Sequence, residues 1–141
     1  MEPIAGTVDG TLRQLRVIHS AFCVTVLLYG YVVFTMPVQG VPPLDPSLFK
    51  AIVAIAVVDA GVAFWLRKKF LQPAFEGLRV QPGAVDTLGG WMKGSIISDV
   101  CAEVVVLFGV VLHFFGGTNE QVVPFLVVGA ALLAMWWPQR P

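Results

Sequence analysis

The sequence predicts an all-α integral membrane protein: a bundle of four transmembrane helices with both termini on the cytoplasmic side. Composition, four long apolar runs and the placement of the positive residues lead there. Of 141 residues, 57% are hydrophobic and 13% charged, with a mean hydropathy of +0.80. Soluble domains carry about a quarter charged residues. This chain has too little polar surface to cover a globule in water, so lipid is its expected solvent.

The apolar runs fall at about 17–36, 48–66, 96–115 and 122–137. Crossing ~30 Å of hydrocarbon at 1.5 Å per residue takes about 20 helical residues. The first three runs meet that length. The fourth is shorter and spans if Trp136 and Trp137 sit in the interfacial belt favoured by indole rings. Helix is expected over barrel, because the runs lack the period-two alternation of barrel strands. The N-terminal residues lack the basic start of a secretory leader, so the first run is expected to stay as an uncleaved anchor.

Local chemistry punctuates the runs. Pro37 ends the first, and the Pro-rich stretch 41–46 makes a stiff connector. Asp45 is placed to cap the second helix, with Pro46 in its first turn. Gly116 and Gly117 close the third, and Pro124 falls in the opening turn of the fourth, where a missing N–H costs little. The segment 67–93 reads as the one sizeable loop, an ordinary basic cytoplasmic loop kept near anionic headgroups, with a surface-lying segment of mixed aromatic and basic residues as the alternative. The whole of 1–141 reads as a single transmembrane domain.

Orientation follows from the cations. Arg13, Arg16, Arg67, Lys68, Lys69, Arg79, Lys93 and Arg140 share one side, and Lys50 alone lies on the other. Eight of nine on one side is a strong positive-inside signal.

Three carboxylates interrupt the apolar runs: Asp59 in the second, Asp99 and Glu103 in the third. An ionised acid near mid-bilayer costs about 2.5–3.5 kcal/mol on insertion scales. Counting inward from Arg67 and Lys93 at 1.5 Å per residue places them roughly 12, 9 and 15 Å deep. Asp99 and Glu103 share a helix face, with Ser95 one turn before Asp99. Small residues that permit close helix approach run beside them: Gly94, Ser98 and Ala102 in the third helix, Ala56 and Ala60 in the second. The second and third helices are therefore expected to pack with their acids inward. His19 and Ser95 are candidate partners. No Lys or Arg lies within a span, so at least one acid is expected to be protonated. Two readings follow: a proton- or cation-binding site, or a hydrogen-bonded polar cluster that fixes helix pairing or contacts a partner subunit.

Other classes find no support. Zero formal net charge gives no nucleic-acid footprint. Cys23 and Cys101 form no C-x-x-C pair and read as small apolar residues. His19 and His113 fall near opposite faces and cannot share one haem iron. No metal, cofactor or catalytic residue is assigned, and no enzyme is expected.

The third helix, Cys101-Ala-Glu-Val-Val-Val-Leu-Phe-Gly-Val-Val111, resembles the carboxylate helix of rotary ATPase c subunits (proteolipids). In that family the acid binds the translocated proton or sodium ion, and the resemblance implies that role for Glu103. As a whole the chain resembles the short, uncharacterised four-helix membrane proteins of bacterial genomes, a likeness that implies no function. The expectation is a structural or accessory subunit in a bacterial inner membrane, homo-oligomeric or joined to other membrane subunits. The alternative is a small transporter using Asp59, Asp99 and Glu103.

Overall fold

A computed structural model describes residues 7–140 and forms four helices: α1 (Val8–Thr35), α2 (Pro46–Val80), α3 (Val85–Phe114) and α4 (Asn119–Met135). Among the described residues there is no strand. α1, α2 and α3 are each long and apolar enough to cross a membrane. α4 has 17 residues, about 25 Å at 1.5 Å per residue.

Helix starts follow side-chain chemistry. The Thr7 hydroxyl accepts from the Gly10 amide at 3.1 Å, which starts α1 nine residues before its apolar run begins. The Asp45 carboxylate accepts from the Ser47 and Leu48 amides at 2.6 and 3.2 Å, with Pro46 at the first helical position. Those two amides hold the Asp45 carboxyl below the usual carboxylate range. Thr118 and Gln121 form a reciprocal capping box on α4. α3 ends at Phe114 and the chain turns away at Gly116, whose φ of 82° suits glycine. A Cβ there would also strike the Pro42 carbonyl of the connector.

The loop expected over 67–93 is helix except at 81–84. α2 continues through Pro73 to Val80, and α3 starts at Val85. Only apolarity ends at Arg67, since Arg, Lys, Leu, Gln and Glu are all good helix formers. Tertiary burial then holds the extension: Leu71, Ala74 and Leu78 of α2 form a small core with Leu88 and Trp91 of α3 and Leu12 and Leu15 of α1. α2, with 35 residues, is about 52 Å long at 1.5 Å per residue, well beyond a ~30 Å hydrocarbon layer.

α3 is the hub. It packs against α2, α4 and α1, and α1 also touches α4. Among the described residues α2 meets neither α1 nor α4 along the backbone. Of the most apolar stretch of α3, 44% is buried within the bundle, against 17% for α1 and α2. The larger core lies at this level, around Ala102, Val105, Val106, Leu126 and Leu133. At the end carrying the termini, Arg140 reaches Asp9 at 3.0 Å, an exposed pair worth little.

Gly129 sets the α3–α4 spacing. A Cβ there would collide with Val106 and approach the Ala102 carbonyl to 2.9 Å, whereas one on Gly61 would meet nothing within 4 Å. Gly129→Val should therefore destabilise the fold by about 1–3 kcal/mol, the usual cost of overpacking, while Gly61→Ala should be neutral or mildly stabilising. Thermal unfolding in detergent compares the two.

Candidate functional site

α1 and α3 run parallel, and the turn of α1 just past Arg16 meets the middle of α3. There the His19 Nδ1 lies 2.9 Å from Asp99 Oδ1, with side-chain exposures of 0% and 3%. With the carboxylate accepting, the ring proton sits on Nδ1. The other nitrogen, Nε2, is buried without a hydrogen-bond partner, and the ring stands edge-on to Trp137 at 5.1 Å.

A second positive side chain near Asp99 comes from α2. Arg67, half-buried, is close enough to Asp99 for the two charges to interact. Its guanidinium lies 5.5 Å from the centroid of the buried Trp136 ring. His19 and Asp99 thus join α1 to α3, with Arg67 of α2 nearby, and the Trp136–Trp137 end of α4 covers them. Sequence reading put Arg67 at a loop boundary and left both tryptophans as belt residues. A cation three residues past Phe64 and facing inward has no distinctive sequence pattern.

The other two acids point elsewhere. Glu103 lies beside the Tyr29 hydroxyl of α1. Asp59 of α2 lies beside the Cys101 thiol of α3, and its Oδ2 is buried without a hydrogen-bond partner. Cys101 is two residues from both Asp99 and Glu103, a step of about 200° around a helix. Asp59 therefore approaches α3 from the side away from the other two. Among the described residues no three His, Cys, Asp or Glu side chains gather as a metal site would require.

The remaining expected residues spread around α3. Ser95 is buried, and the fully buried Ser98 hydroxyl donates to the Gly94 carbonyl at 2.7 Å. Gly94 faces Phe70 and Leu71 of α2, while the Ala102 carbonyl faces Gly129 of α4. The small residues thus serve two neighbours, where α2 alone was expected. Ala56 is buried in the core and Ala60 borders a groove toward α4. His113, at the far end, donates from Nε2 to the Met36 carbonyl at 2.8 Å.

Chemically, the arrangement offers several separate polar contacts, each between different helices. No known protein family, curated protein or solved structure matches the chain.

Proposed function

We propose that this chain is an integral protein of a bacterial inner membrane, with both termini cytoplasmic, serving as a structural or accessory subunit of a membrane assembly. The observation that carries this reading is the separate pairing of the three acids: Asp99 with His19, Glu103 with Tyr29, Asp59 with Cys101. An ion-binding site needs ligands that converge, whereas helix ties need one partner each. Outward apolar side chains support the membrane setting, with Leu27 73%, Tyr31 67% and Val57 66% exposed. Such faces are stable against lipid or against a second membrane subunit, including a copy of this chain.

A proton- or cation-coupled transporter is the second reading. His19 Nε2 and Asp59 Oδ2, buried and unpartnered, are the observation that favours it. A static tie has no use for an unsatisfied buried acceptor, and a proton carrier has.

Topology is tested by cysteine labelling in a background lacking native cysteines. Gln72→Cys and Gln81→Cys should react only from the cytoplasm, Gln39→Cys and Asn119→Cys only from outside. Labelling of Gln72→Cys in intact cells by an impermeant reagent would reverse the orientation.

Function is tested in proteoliposomes holding a pH-sensitive dye under an imposed potential. The structural reading expects no proton or cation flux from the wild type. It also expects Glu103→Gln to keep assembly nearly intact and Glu103→Leu to weaken it, because leucine strands the neighbouring hydroxyl. Flux that both Glu103 variants abolish, in protein that still assembles, would establish the transporter instead.

A further inference from the structure

We propose that the seam between α2 and α4 is a binding site for one anionic phospholipid of the inner leaflet, its phosphate held by Arg67 and Lys68, with Arg79 adding to the positive field of the cavity, and its acyl chain laid against Ala60 and Val57. The proposal rests on the membrane orientation given above.

The seam exists because α4 is short. α2 runs on to Val80, while α4 ends at Met135, so the flank of α2 beyond Trp136 has no covering helix. A cavity of about 620 Å³ opens there, bordered by Arg67, Lys68 and Arg79 on α2 and by Trp136. Three cations face one carboxylate, Glu76, leaving a net positive pocket. Toward the membrane interior the same two helices border a largely apolar groove of about 260 Å³, with Val57, Ala60 and Val128 in its wall, that runs on to Phe49, Glu120 and Gln121 at the opposite end. The edge-on rings of Phe64 and Trp136, 5.2 Å apart, stand between the two cavities.

Polarity along the inner part of the seam, from Arg67 to Val57, therefore changes from basic to apolar, as it does along a phospholipid. The lengths match as well. Val57 lies ten residues from Arg67, about 15 Å along the helix, which is half of a ~30 Å hydrocarbon core and the reach of one leaflet's chains. Basic pockets between helices at the cytoplasmic face suit lipid phosphates. A partner helix would fill the apolar half but would not call for the cations. A free phosphate would use the cations and ignore the groove.

Full-length protein extracted in detergent, followed by melting and native mass spectrometry, tests the site against phosphatidylglycerol, phosphatidylcholine and inorganic phosphate. Phosphatidylglycerol should raise Tm and stay bound as a single adduct, with the other two giving much smaller shifts. Lys68→Gln with Arg79→Gln should weaken phosphatidylglycerol binding roughly tenfold or more, as the loss of two surface cations implies. Both side chains are exposed, so the lipid-free melting should hold. Val57→Trp, which fills the groove, should also weaken it. An equal shift with phosphatidylcholine, an equal shift with inorganic phosphate, or unchanged lipid binding in the double variant would overturn the site. A membrane protein crosslinked into the seam from native membranes would replace the lipid as occupant and overturn it too. Recovery of the protein in carbonate-washed supernatant without detergent would instead defeat the membrane reading, and the lipid site with it.

Discussion

The packing of α3 against all three other helices is the constraint from which the rest of the structure follows. α2 comes close along its backbone to α3 alone and meets α1 and α4 through side chains, while α1 adds only a short contact with α4. A hub helix must let several backbones approach closely, and this one does so with Gly94, Ser98 and Ala102 along its length and with Gly129 opposite. In lipid, apolar surface gains little from meeting apolar surface, so close fit and hydrogen bonds carry the association. That is why small residues matter more here than the hydrophobicity of the runs.

The polar groups follow from the same arrangement. A hub leaves α1 and α2 on different sides of α3, and each side carries its own carboxylate contact. The Asp99–His19 bond joins α1 to the hub, while Asp59 beside Cys101 joins α2. Removing one member of such a buried pair leaves a stranded charge or donor, which costs far more than the intact pair contributes. On the structural reading proposed above, the ties specify which helix lies where more than they add stability. Arg67 adds a contact between α2 and the end of α4, its guanidinium 5.5 Å from the Trp136 ring.

Much of this was legible in the residues. The helix count, the Asp45 cap and the Gly116 stop all rest on local chemistry that one sequence displays. The extension of α2 past Arg67 was not, because hydropathy marks where lipid contact would end and not where the helix ends. Only the meeting of Leu71, Ala74 and Leu78 with Trp91 and Leu15 keeps that stretch helical, and this contact is long-range. The facing of the acids was hidden for a related reason. Depth along a helix can be counted from the sequence, but rotation about its axis depends on neighbours. Asp59, Asp99 and Glu103 fall at similar depths, yet Asp59 meets α3 on a different side.

Double-mutant cycles on unfolding free energy in detergent micelles test that separation most directly. Combining His19→Phe with Asp99→Leu should show a coupling of about 1–3 kcal/mol, as contacting buried residues do. Combining Asp59→Leu with Asp99→Leu should be additive within about 0.5 kcal/mol, as independent sites are. Strong coupling between Asp59 and Asp99, with none between His19 and Asp99, would mean that the acids share one site and that the separate ties described here are wrong.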